Sequence, residues 1–136
     1  MTSVTHEPPF DGKPCPMCPS AIRNLSATVH NFLWRWTEFA GGGSNCKVRD
    51  KFDSVAHAVT WSAPLIKPDA HEAVRTLHAE ASEFVARFNG WVAGEVGSWA
   101  RLQDQTPKLQ AASNAIRPLT DAHFADRMHS HGEVQR

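Results

Sequence analysis

The sequence predicts an all-α protein, a single-domain bundle of four or five antiparallel helices that follows an irregular head rich in proline and cysteine. Apolar residues recur at alternating spacings of three and four in two long segments, which places them on one face of a helix. No stretch of useful length alternates with period two, as a half-buried strand would. A length of 136 residues suits one compact domain.

The chain divides into three parts by composition. Residues 1–19 hold five of the nine prolines, and this head is expected to be extended and irregular because proline removes amide donors and restricts the preceding residue. Residues 20–130 are assigned to the helical bundle. The polar residues 131–136 are expected to form a frayed tail.

The first helix is predicted from Ser20, a suitable N-cap, to the glycines at 41–43. Its apolar stripe consists of Ile22, Leu25, Val29, Phe32, Trp36 and Phe39. A second helix is expected to begin at Ser44 or Asp50 and to end before Pro64.

A third helix is predicted to begin after Asp69, which can accept a hydrogen bond from the amide of Glu72. Its stripe consists of Val74, Leu77, Ala81, Phe84, Phe88 and Trp91. The stripe then slips close to Asn89-Gly90, a pair typical of a helix C-terminus, so we expect a break or kink there. Beyond it, Thr106 and Thr120 are expected to cap two short helices that Pro118 separates.

The charge balance gives little support to a nucleic-acid partner. Fourteen Lys and Arg match fourteen Asp and Glu, whereas binding to phosphate backbones favours a basic surface. A weak nucleic-acid site at Lys47, Arg49 and Lys51 stays an alternative, although Asp50 and Asp53 lie among these residues.

Neither a membrane nor a secretory route is indicated. The longest apolar stretches are far shorter than the roughly 20 residues that span a bilayer, and the N-terminus has no basic region followed by an apolar run. A cytoplasmic location in the producing or host cell is therefore the expectation.

Cys15-Pro-Met-Cys18 is the most chemically specific motif in the chain. Two residues between cysteines allow both sulfurs to face one point, as half of a tetrahedral zinc site or as a redox dithiol. A pair of unligated thiols is the third interpretation. Zinc requires further ligands, and the predicted return of the chain after the second helix favours His71, with His6 on the flexible head as another candidate.

The third cysteine, Cys46, is an unfavourable ligand for the same ion. A helix over residues 20–40 would separate the head from the glycine-rich turn by roughly 30 Å. An odd number of cysteines also argues against a secreted disulfide framework.

The histidines near the C-terminus form a second group that could bind a transition metal. His123, His129 and His131 lie close in sequence to Asp121 and Asp126. Because frayed ends seldom hold ligands rigidly, we interpret the group as solvated.

No motif for catalysis is visible. The glycines at 41–43 lack the Lys-Ser/Thr pair of a phosphate-binding loop, and no nucleophile elbow occurs. The chain is therefore expected to be a non-enzymatic protein–protein interaction module, which would bind another protein or a second copy of itself.

Three tryptophans are candidate partner-binding residues. Trp34 points away from the apolar stripe of the first helix, so its indole is either covered by another helix or exposed as an anchor. Trp91 and Trp99, close to Gly90, Gly94 and Gly97, form a second candidate surface, although a kinked core helix would also explain them.

The order of these features resembles that of short Cys-x-x-Cys-containing helical proteins of actinobacterial phages. The resemblance covers residues 15–99 and rests on the Cys15/Cys18 pair, the amphipathic helix and glycine-rich turn, Pro64-Leu65 through Ala70, Leu77-His78 and Trp91-Val92. It implies a phage or mobile-element accessory protein and assigns no activity. Pro19 and the Trp-rich first helix depart from the pattern.

Overall fold

The computed structural model describes residues 15–40 and 48–134, with side chains described up to residue 125. These residues form four α-helices and one short 3₁₀ turn, and no strand occurs among them. The helices are α1 (Ser20–Ala40), α2 (Val48–Ser62), α3 (Glu72–Val92) and α4 (Ser98–Val134), with the 3₁₀ turn at Ala63–Leu65. The predicted all-α class is confirmed.

Helix α1 spans the predicted residues and buries the predicted stripe, apart from Phe39, which is half-buried. Trp36 and Phe32 are fully buried, and their rings stack at 5.8 Å between centroids. The indole Nε1 of Trp36 donates a hydrogen bond to Thr106 Oγ1 on α4 at 2.9 Å, which satisfies the buried polar atom of this large side chain. Trp36 thus connects α1 with α4.

Helix α2 begins at Val48 rather than at Asp50, and Ser44 lies outside the described residues. Its Phe52 stacks on Phe88 of α3 with ring centroids 3.9 Å apart. The helix ends at Ser62, and Pro64 lies in the 3₁₀ turn that follows.

Helix α3 departs from the prediction at both ends. Its N-cap is His71, whose side chain accepts a hydrogen bond from the amide of Ala73, and not Asp69. The helix continues to Val92, so the break expected at Asn89-Gly90 lies three residues further along the chain, before Ser98.

Helix α4 replaces the two short helices that the sequence predicted. It runs from Ser98 to Val134 and contains Pro107 and Pro118 within it, so neither proline separates two helices. Thr106 is helical, and its hydroxyl donates to the carbonyl of Leu102 at 2.8 Å. The helix also extends past residue 130, where the tail was expected to begin.

Contacts along the helices show which of their ends lie together. The Trp36–Thr106 hydrogen bond joins the C-terminal half of α1 to the N-terminal part of α4. Cys15, just before α1, contacts His123 far along α4. The most extensive helix contacts join α3 with α4 and α1 with α2, whereas α1 and α4 contact each other over fewer residues.

None of the helices in the described part of the chain combines the length and the apolar character that crossing a membrane requires.

Candidate metal centre

Two cysteines and one histidine meet at the point where the head joins the helices. The Sγ atoms of Cys15 and Cys18 and one ring nitrogen of His123 all lie within 4.8 Å of one another. The Nδ1 atom of His123 is 3.4 Å from Cys15 Sγ and 4.0 Å from Cys18 Sγ. Cys15 is half-buried, Cys18 is exposed and His123 is buried.

The loop that carries the cysteines is held by its own residues. The amide of Cys18 donates to the carbonyl of Cys15 at 3.3 Å, which folds the Cys-x-x-Cys segment into a turn with both sulfurs on one side. Met17, between the cysteines, is fully buried within the hydrophobic core. Its burial anchors the loop against the helices by apolar packing.

Arg23, one turn into α1, gives the loop a second attachment. Its guanidinium donates to the carbonyl of Met17 at 3.0 Å, to the carbonyl of Cys18, and to Ser20 Oγ at 3.3 Å. These charge-assisted hydrogen bonds hold two carbonyls of the loop against the first turn of α1. The burial of Met17 and the hydrogen bonds of Arg23 therefore fix the geometry of the loop.

His123 reaches the sulfurs because it belongs to the core-facing stripe of α4. This stripe alternates spacings of four and three through Ser98, Leu102, Gln105, Leu109, Ala112, Ile116, Leu119 and His123, all of which are buried. The interpretation of His123 as solvated is wrong, since only 5% of its surface is exposed. The sequence grouped His123 with His129 and His131 rather than with the cysteines, because a helix was expected to end at Pro118.

The spacing of the three ligand atoms suits a tetrahedral ion. Zinc binds sulfur at about 2.3 Å and nitrogen at about 2.0–2.1 Å, so a tetrahedral site holds its sulfur and nitrogen ligands about 3.6 Å apart. The two sulfur–nitrogen distances, 3.4 and 4.0 Å, lie on either side of that value. The cluster can hold a metal ion with small adjustments of the side chains.

The other residues proposed as ligands lie elsewhere or outside the described residues. The Nδ1 atom of His71 accepts from the Ala73 amide at 3.1 Å, so this ring caps α3, and His71 does not belong to the cluster. His6 and Cys46 lie outside the described residues.

The three tryptophans proposed as partner contacts have different surroundings. Trp34 is 70% exposed, and the guanidinium carbon of its neighbour Arg35 lies 5.4 Å from the ring centroid. Trp91 is half-buried against the core, and Trp99, which is 39% exposed, has its ring centroid 5.1 Å from that of Trp91. Both rings also contact Trp36, at 6.0 and 5.7 Å between centroids.

Comparison with known proteins adds no precedent for this arrangement. No protein-family model, curated protein or solved structure matches the chain. Its function has to be inferred from the chemistry of its own residues.

Proposed function

We propose that Cys15, Cys18 and His123 bind one zinc ion as a structural centre. The ion would join the head to α4 in an antiparallel bundle of four helices. The observation that carries the proposal is the convergence of two thiols and an imidazole whose residues are up to 108 positions apart in sequence. Local sequence brings the two cysteines together, whereas only the tertiary fold brings His123 to them.

The donor set favours zinc over other common ions. Calcium and magnesium prefer oxygen ligands, and the cluster has none among its three members. Two thiolates and one imidazole are typical ligands of zinc, which has no redox chemistry of its own and accepts a tetrahedral site. A fourth ligand completes the shell, and we propose His6 for it, with water as the alternative.

A redox dithiol is the competing interpretation of the same cysteines. Dithiols of the thioredoxin type belong to a strand-containing βαβ setting, and no strand occurs among the residues that the structure describes. A metal site uses all three side chains as ligands, whereas the redox interpretation uses the imidazole only as a base beside the thiols.

Elemental analysis of the purified protein tests the proposal. We expect one zinc per chain, lost on Cys15→Ser, Cys18→Ser or His123→Gln, because each change removes one of the three proposed ligands. His71→Ala is the matched control, since it removes a histidine outside the cluster and should leave the zinc in place. Substitution by cobalt gives a second readout, because thiolate ligation produces an intense absorption that each Cys→Ser change should weaken.

Two results would reject the structural zinc site. One is metal-free protein that also fails to bind added zinc or cobalt. The other is a His123→Gln protein that keeps its metal while His71→Ala loses it, which would restore the ligand set that the sequence suggested. His6→Ala then distinguishes a protein ligand from water in the fourth position, since only loss of a protein ligand weakens affinity.

A second candidate function is protein–protein interaction through the face of α1 that carries Trp34. Trp34 is 70% exposed and lies beside Arg35, and tryptophan and arginine are the residue types enriched in the hot spots of interfaces. The adjacent Arg35 adds a donor that can pair with an acidic partner group. On this proposal the chain is a non-enzymatic accessory module, of phage or mobile-element type, that binds a host protein or a second copy of itself.

A further inference from the structure

A groove between α1 and α4 forms a cavity separate from the metal centre. Its volume is about 490 Å³, within the range of small-molecule sites, and it lies where α1 and α4 contact each other over few residues. None of the three proposed zinc ligands, Cys15, Cys18 and His123, lines it. We propose that this groove binds a small amphipathic carboxylic acid.

The polar part of the groove favours an anion. Arg117 Nη2 lies 3.4 Å from Nδ1 of His30 on the facing helix, and both side chains are exposed. Among the described residues no carboxylate lies within ion-pair distance of Arg117, although Asp121 also lines the groove. A carboxylate placed against Arg117 can accept two hydrogen bonds from the guanidinium, a far better partner than the imidazole edge.

Arg23 makes the overall charge of the groove positive. The ionisable groups that line it are two arginines, one histidine and one aspartate, so the charge complements an acid rather than an amine. Arg23 is engaged with the carbonyls of the cysteine loop, which leaves Arg117 and His30 as the groups that face a ligand.

The rest of the groove suits an apolar body. Met17 and Ile116 form buried parts of its wall, and Ala27 and Phe124 contribute exposed apolar surface. An aliphatic chain lying on this surface would remove apolar area from water, which is the main favourable term for such ligands. A ligand with an acid at one end and an aliphatic body therefore matches both parts.

Titration of the folded protein with octanoate, followed by two-dimensional NMR of the backbone amides, tests the inference. We expect saturable shifts confined to residues that line the groove, and binding about tenfold weaker in Arg117→Ala, because one charge-assisted contact is lost. Lys108→Ala removes a positive charge from the same helix outside the groove and should leave binding unchanged. Octanol, which has the same chain without the acid, should bind about tenfold less tightly than octanoate.

A second variant tests the location without removing charge. Ala27→Phe adds a ring at an exposed position that lines the groove, so we expect the helices to remain folded and octanoate binding to be lost. The inference is overturned by an absence of saturable binding, by equal affinity for octanoate and octanol, or by full octanoate binding in Ala27→Phe. None of these results bears on the zinc proposal, because the two sites share no ligand atom.

Discussion

Trp34 is an exposed residue whose role in association can be tested with a single substitution. Its side chain is 70% exposed, so Trp34→Ala should change the free energy of unfolding by no more than about 0.5 kcal/mol. If this indole anchors a second copy of the chain, the same change should weaken self-association at least tenfold, as loss of a hot-spot residue does. Sedimentation equilibrium over a range of concentrations measures self-association, and thermal melting measures the stability of the fold.

Trp61 supplies the control for that experiment. It is 48% exposed on α2 and contacts His57, so Trp61→Ala also removes an exposed indole, at a different place. Equal effects of the two changes would mean that general surface apolarity, and not the Trp34 face, drives association. A monomer at all concentrations would exclude self-association and leave another protein as the only partner of this type.

Single residues also show where sequence reasoning succeeded and where it could not. Trp36 and Phe32 were predicted to face inward from spacing alone, and both are fully buried. Spacing does not decide the surroundings of Trp34, because it shows that a side chain points away from one neighbour but not whether another helix covers it. His123 was misread because its burial depends on the continuity of α4 through Pro118.

At the scale of the elements, the turn between α3 and α4 explains the misplaced break. Helix α3 ends with the amide of Gly94 donating to the carbonyl of Trp91 and the amide of Glu95 donating to that of Gly90, the hydrogen bonds of a Schellman motif. Gly94 and Gly97 have φ values of +83° and +76°, which L side chains rarely adopt. Gly90 is an ordinary helical residue, whereas Gly94 and Gly97 allow the turn between the two helices.

These glycines give a matched set of substitutions. Gly94→Ala and Gly97→Ala should each lower the free energy of unfolding by about 1–2 kcal/mol, because a Cβ at positive φ is strained even though no atom lies within 4 Å of it. Gly90→Ala should raise it by about 0.5–1 kcal/mol through helix propensity. The added Cβ would meet only the end of the Glu95 side chain, at 2.7 Å, and this flexible carboxylate can move away.

Urea denaturation at a fixed metal concentration measures the free energy of unfolding of each of the three glycine variants. A Gly94→Ala protein as stable as the parent would contradict the assigned turn, and a strongly destabilised Gly90→Ala protein would restore the break at Asn89-Gly90.

Helix α4 shows why the prolines misled the prediction. A proline disfavours a helix because it lacks an amide and clashes with the preceding turn, at a cost of about 3 kcal/mol. Local sequence therefore predicts that a helix begins at Pro107, as a first-turn proline, and ends at Pro118. The stripe from Ser98 to His123 continues without a slip through both prolines, and burial of that whole face outweighs the local cost. Following the period through the prolines would have identified one helix and placed His123 on its buried side.

For the molecule as a whole, the zinc proposal makes the stability of the fold depend on metal. The ion would connect residues 105 and 108 positions apart, so binding is possible only when the head and α4 are already together. Zinc at a thousandfold excess over its dissociation constant should then stabilise the folded state by about 4 kcal/mol. For a chain of this size the expected rise in melting temperature is roughly 10–15 °C.

The decisive measurement compares melting temperatures with zinc and with a chelator, in the parent protein and in the double variant Cys15→Ser/Cys18→Ser. The parent should lose the stabilisation when the metal is removed, whereas the double variant should melt at one temperature under both conditions. Met17 and Arg23 fix the loop by contacts that need no metal, so the metal-free protein should remain helical by circular dichroism. If bound zinc left the melting temperature unchanged, the ion would be held by the head alone and His123 would not be its ligand, because a bond to α4 must oppose the separation of the two segments on unfolding.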